Sequence, residues 1–230
     1  TLSLPFAFDE YLFTISLDTQ GSVTNTGGWN VGIQSLEVME LSGLLKTSPT
    51  ISLTGSFDNY GCIFPSVQIS DTASALSGML TAGWTYKDSI LEAAQLSMEL
   101  KSIDEKESLS ASFDLSNPDY ITVSDSNFIS SVYFSGLVEA YSLLPGHFLQ
   151  NQKSDAHITG TVSLLGNLQE PTVFVNLDDV ALYLGTTPVK ASGGVELADK
   201  VIQIQDVDIH LGSNYFQKVK GIYNVTSGET

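Results

Sequence analysis

The chain has 230 residues, 42% hydrophobic and 15% charged, with 26 acidic against 9 basic side chains and a net charge of -17. That length buries a core without disulfides or a structural metal, and that composition argues against disorder. Without clustered Lys and Arg, nucleic acid is a poor partner, and an acidic surface argues against docking on anionic membranes.

From the N-terminus onward the dominant pattern is period-2 alternation, which gives a strand one apolar and one wet face. Tyr11, Phe13, Ile15 and Leu17 share a face. So do Ile51, Leu53, Gly55 and Phe57, and then Ile63, Pro65, Val67 and Ile69. Leu76, Gly78, Leu80 and Ala82 continue the pattern. The stretch 87–105 has helix-like composition around Glu92-Ala93-Ala94-Gln95, but Leu96, Met98 and Leu100 alternate, which predicts strand in its second half. Leu109, Ala111, Phe113 and Leu115 come next. From Gly136 to Phe148 the spacing of Leu137, Val138, Tyr141 and Leu144 before Pro145-Gly146 predicts a short amphipathic helix, with a loop over 150–155.

Alternation is clearest in the last third. Ile158, Gly160, Val162 and Leu164 precede Val173, Val175 and Leu177, and then Val189, Ala191, Gly193, Val195 and Leu197. Val207, Ile209 and Leu211, and finally Val219, Gly221, Tyr223 and Val225, complete it. Turn residues punctuate the runs at Asn59-Tyr60-Gly61, Asn117-Pro118-Asp119, Gly166-Asn167, Asp178-Asp179, Ala198-Asp199-Lys200 and Gly212-Ser213-Asn214. At Asp178-Asp179 the apolar parity switches to Val180, Leu182 and Leu184, so a turn or bulge there returns the same face inward.

A looser repeat lies above the single strand: an apolar residue, usually Ser or Thr, then Gly. It recurs ending at Gly43, Gly55, Gly78, Gly136, Gly160, Gly193 and Gly221, at uneven spacing. Glycine inside a strand marks curvature or close approach, so the expected architecture is all-β, a long, curved, mostly antiparallel sheet forming a half-closed groove with an apolar interior. One repetitive segment spans 1–230, with a weak sub-boundary near 145–156. There is no run of about 18 apolar residues and hence no membrane span. The chain starts at Thr1 without Met or a basic leader and closes on a polar tail. It is expected to be part of a much longer protein whose anchor and signals lie elsewhere.

The run Ile158-Thr159-Gly160-Thr161-Val162-Ser163-Leu164-Leu165-Gly166-Asn167-Leu168-Gln169-Glu170-Pro171 resembles a signature of the TamB and AsmA-like family of envelope proteins. Downstream of it, the segments 192–197, 202–209 and 218–223 are also similar to that family, and 53–78 looks like another copy. The likeness covers most of the chain and is strongest over 155–225. It implies a β-taco-like groove in the periplasm of a diderm bacterium, part of an inner-to-outer membrane bridge that conducts phospholipid acyl chains. It also implies an outer-membrane β-barrel partner reached through other parts of the chain. The groove-lining candidates are Val162, Leu164, Val173, Val175, Leu177, Val195, Leu197, Ile209 and Leu211. Burial of one CH₂ is worth roughly 0.8 kcal/mol, so an acyl chain of about 16 carbons gains on the order of 10 kcal/mol in such a trough.

No chemistry is expected, and no catalytic residue, metal ligand or cofactor is assigned. His147, His157 and His210 are scattered without ligand spacing. Asp206 and Asp208 read as solvated strand carboxylates, and Cys62 as a small buried hydrophobe. There is no G-x-S-x-G elbow and no phosphate-binding glycine loop. Aromatic residues such as Trp29, Trp84, Tyr86, Phe134, Tyr141, Phe148 and Tyr183 suit either a groove or a closed core. Two other readings stay open: a structural or adhesive all-β envelope protein binding protein or glycan, and a scaffold for outer-membrane protein assembly that offers a sheet edge to a client strand.

Overall fold

A computed structural model describes residues 2–8, 11–23, 29–40, 50–70, 75–87, 90–122, 125, 127–145, 153–167 and 170–224. Among these lie fourteen strands and one turn of helix. The first seven strands are β1 (Leu2–Phe8), β2 (Tyr11–Val23), β3 (Trp29–Glu40), β4 (Thr50–Asp58), β5 (Gly61–Ser70), β6 (Ala75–Lys87) and β7 (Ile90–Ser102). Then come β8 (Ser108–Ser116), α1 (Phe128–Ser131), β9 (Tyr133–Leu143), β10 (His157–Asn167), β11 (Pro171–Leu184), β12 (Thr187–Ala198), β13 (Val201–Leu211) and β14 (Asn214–Asn224). Each strand pairs antiparallel with the next in sequence, so one sheet runs in the order β1 to β14. It does not close into a barrel: β1 and β14 are its edges.

The sequence expectation of an all-β, antiparallel, curved sheet is met, with one correction. The helix expected over 136–148 is strand β9 as far as Leu143. Its inward residues, Phe134, Gly136, Val138 and Ala140, alternate, but Leu137 and Tyr141 on the other face supplied a false helical period. Residues 146–148, with His147 and Phe148, lie outside the described residues, as do Gly43 and Val225. Within the 87–105 stretch, Ile90–Ser102 is strand and the residues after it form the β7–β8 turn. The same sheet continues across 145–156, where β9 pairs with β10.

Turn chemistry tracks residue type. Asp58 Oδ1 accepts hydrogen bonds from the backbone N–H groups of Tyr60 (2.8 Å) and Gly61 (3.2 Å), closing the β4–β5 hairpin. Asp199 and Lys200 both have positive φ (50° and 63°), as a two-residue hairpin turn between twisted strands requires. The long β8–β9 connection is held by buried Asn117. Its side-chain amide donates to the carbonyls of Leu91 (2.9 Å) and Ile121 (2.7 Å), and its Oδ1 accepts from Ile121 N–H.

The bend of the sheet has a repeating local cause. On β9, β11 and β13 one extra residue interrupts the register. Those insertions fall at 140–143, 177–180 and 204–207, and Ser142 and Asp206 there have φ near 50°. The alternate strands β10 and β12 are regular and carry glycine at that level. A Cβ on Gly160 would run into the backbone of Asn176 and Leu177, and one on Gly193 would sit 2.6 Å from Val207 Cα. The first half uses the same scheme, with insertions on β3 and β5 and close-packed Gly55 and Gly78 on β4 and β6. Bulges bend a strand and sharpen its twist, and glycine admits the neighbouring backbone. The degenerate glycine repeat is thus largely a hairpin repeat, one bulged strand and one glycine strand, and together they crease the sheet. The hairpin β7–β8 pairs without any register shift and is uncreased.

Candidate functional site: the creased apolar face

Cross-strand register lines the inward residues into rows. Val162 pairs with Val175, Val175 with Val195, and Val195 with Ile204. The same row runs back through Val138, Ala111, Met98 and Leu80 to Phe64 on β5. A second row joins Leu164, Val173, Leu197 and Ile202, with Gly136 on β9 as its neighbour. Phe113 lies against that glycine, its ring occupying the space of the missing Cβ. Leu177 sits between Gly160 and Gly193 at the crease. Beyond the crease, Ile209 pairs with Ala191 and Leu211 with Val189.

All nine candidate lining residues therefore belong to one apolar face. Eight of them are half-buried and Leu211 is exposed at 37%. The floor is tighter: Val180 and Val207 are buried at the bulges. In the first half a buried cluster, Ile33, Phe64, Val67, Leu76, Leu100 and Leu143, fills the corresponding space. The opposite face is largely polar, with rows such as Glu139, Thr161, Asn176 and Gln205, and scattered exposed apolar residues including Met79, Leu165 and Phe174.

One detail of the sequence reading changes and another resolves between its two alternatives. Ile63 is 57% exposed and Pro65 is exposed, while Phe64 points inward, because the β5 insertion at 64–67 inverts parity within that strand. That was hidden because Ile63 and Phe64 are both apolar. Of the turn or bulge expected at Asp178-Asp179, the structure has the bulge, inside continuous β11.

Cys62 lies half-buried in the second apolar row, paired with Ala82, and burial raises its thiol pKa. No group of three or more potential metal ligands occurs among the described residues. Asp206 pairs with Lys220 at 3.1 Å, and Asp208 accepts the Lys218 backbone N–H at 2.7 Å. His210 stacks on Tyr215 with ring centres 3.9 Å apart. Trp84 donates its indole N–H to the Asn59 carbonyl at 2.8 Å, so it braces a turn.

Near the β9–β10 end lies an open depression of about 770 Å³, bordered by the β7–β8 turn, the segment before β10 and the β11 bulge. Buried Glu107 there accepts a hydrogen bond from Leu144 N–H at 2.9 Å, holding the end of β9 to the turn. No helix is long and apolar enough to cross a membrane among the described residues.

These features define a class: a single-sheet, antiparallel β-meander creased along rows of bulges and glycines, with one apolar and one largely polar face. Compared with protein-family models, curated proteins and solved structures, the chain matches none.

Proposed function

We propose that the apolar face of β10–β13 shelters lipid acyl chains, without catalysis of its own, as one section of a conduit across a bacterial cell envelope. The observation that supports this reading is the half-burial of Val162, Leu164, Val173, Val175, Leu177, Val195, Leu197 and Ile209 in continuous rows. An apolar surface left wet in this way gains by roughly 25 cal/mol for each Å² that a hydrocarbon covers. Fourteen strands at ~4.8 Å spacing give a trough of roughly 60 Å along the stacking direction. The likeness to TamB and AsmA-like sequences points the same way and adds phospholipid as cargo and the periplasm as location.

Native mass spectrometry with lipid extraction of the same sample tests this. Bound phospholipid is expected, and it should disappear when Val175 and Leu177 are both changed to Asp. A photo-reactive residue at Val175 should cross-link lipid, and one at outward Asn176 should not. Lipid-free protein, or equal labelling at the two positions, overturns the proposal. The buried cluster of the first half favours a second reading, a self-closed structural or adhesive protein. That reading predicts a lipid-free, thermally stable chain.

A further inference from the structure

The segment 153–157 enters β10 across the β11 bulge, and three side chains fasten it there. His157 Nε2 lies 3.1 Å from Asp179 Oδ2, and His157 Nδ1 lies 3.0 Å from the carbonyl oxygen of Asp155. Tyr183 donates its hydroxyl proton to Asp155 Oδ2 at 2.8 Å, and Lys153 Nζ sits 4.2 Å above the Tyr183 ring. Ala156, between them, is fully buried.

The chemistry of the two imidazole contacts decides what they require. A carboxylate and a backbone carbonyl are both acceptors, so each ring nitrogen must donate. A neutral imidazole carries one N–H and meets only one of them, whereas the imidazolium meets both. We propose that His157 is a protonation-dependent clasp: as imidazolium it holds the β11 bulge through Asp179 and the turn of its own segment through the Asp155 carbonyl, and when neutral it keeps only one of the two.

The charges around the ring agree. The depression that His157 borders also holds Asp104, Glu105, Lys106 and Glu107 from the β7–β8 turn, and Tyr141 from β9. Asp155 and Lys153 come from its own segment, and Asp179 and Tyr183 from β11. Lys190 on β12 opposes protonation. The surroundings are dominated by carboxylates. The hydrogen bond to the Asp155 carbonyl, and then that to Asp179, raises the His157 pKa above its ordinary value. A raised folded-state pKa means that the clasp's stabilisation is complete below the unfolded value and is lost as pH climbs through the folded one.

The clasp bears on the groove through position. His157 begins the strand whose next residue, Ile158, pairs with Leu143 on one side and Val180 on the other. Loosening 153–157 therefore loosens the lip of the apolar face at β9–β11. This holds whether the face carries lipid or another ligand.

The test is a ¹H–¹³C NMR titration of the histidine Cε1 resonances in the intact chain, with His157 assigned from a His157→Gln spectrum. The His157 midpoint is expected above the ordinary value of roughly 6.5. Asp179→Asn, an isosteric change at an exposed position, is expected to lower it. Hydrogen exchange of residues 155–158, corrected for intrinsic rates, is expected to speed up above the midpoint. The opening equilibrium should grow by about tenfold for each unit by which folding raises the pKa. His157→Gln should abolish that pH dependence. A wild-type midpoint at or below the ordinary value overturns the clasp, as does an Asp179→Asn midpoint equal to wild type or pH-dependent opening that survives in His157→Gln. Lipid content is not read in any arm, so failure here is distinct from failure of the conduit proposal.

Discussion

Between β3 and β9 the apolar face gathers a buried cluster, with Leu76 and Leu100 wholly out of water beside half-buried Leu80, Met98 and Val138, whereas between β10 and β13 Val180 and Val207 are buried at the bulges and the paired rows are half-buried. Both regions use the same alternation of bulged and glycine-bearing strands. Side-chain volume differs. Phe64, Leu76, Leu100 and Leu143 meet in the first region, while Val162, Val175 and Val195 with Gly160 and Gly193 line the second. Backbone geometry therefore makes the crease, and the residues placed along it decide how much room is left inside.

The change expected to break this scheme most severely is Gly193→Val. It puts a β-branched residue at φ 125° and drives its Cβ into the Val207 backbone. A loss of about 3 kcal/mol is expected, read as a lower urea midpoint. Truncations then separate the two regions. Leu100→Ala removes a wholly buried side chain and should cost about 3 kcal/mol, whereas Val175→Ala, at a half-buried position, should cost below about 1 kcal/mol. Equal costs would mean that the second region is as tightly filled as the first.

Much of this was legible in sequence, for physical reasons that can be named. Period-2 alternation is a direct print of strand geometry, so β10 to β13 and the residues that share their apolar face could be read off the chain. The parity switch at Asp178-Asp179 announced a turn or bulge because both flanks are apolar while the two residues between them are acidic. The β5 bulge was silent because Ile63, Phe64 and Pro65 offer no polar residue to mark the slip. Strand β9 was obscured by Leu137 and Tyr141 on its other face. Which rows are filled and which stay open depends on side chains distant in sequence, and periodicity carries no such information.

Smaller effects sharpen the comparison. Ser142 adopts φ 47° at the β9 bulge, and its backbone N–H donates to Thr159 Oγ1 at 3.0 Å. Ser142→Gly keeps that bond and relieves the left-handed conformation, so a gain of about 0.5–1 kcal/mol is expected in thermal or urea unfolding. At the uncreased β7–β8 turn, Asp104 is held to about 2 by Lys106, with Ser102 adding a second hydrogen bond. Its folded-state pKa lies below the unfolded value, so its small contribution is present above the unfolded pKa near 3.8 and fades as pH falls toward 2. Asp104→Asn should flatten the acid limb of the stability profile in that window and lower stability slightly at neutral pH, where the contribution is otherwise present.

Strand order has a consequence for how the chain acquires and loses its structure. Each strand bonds only to its neighbours in sequence, so no strand must wait for a distant segment before it can add. Folding can then advance hairpin by hairpin, and stability is close to a sum of nearest-neighbour terms, as in solenoids. Heating should fray the sheet inward from β1 and β14 instead of melting it in one step, so different probes along the chain should report different midpoints. A chain shortened by its last hairpin keeps every pairing from β1 to β12, and its groove simply ends two strands earlier.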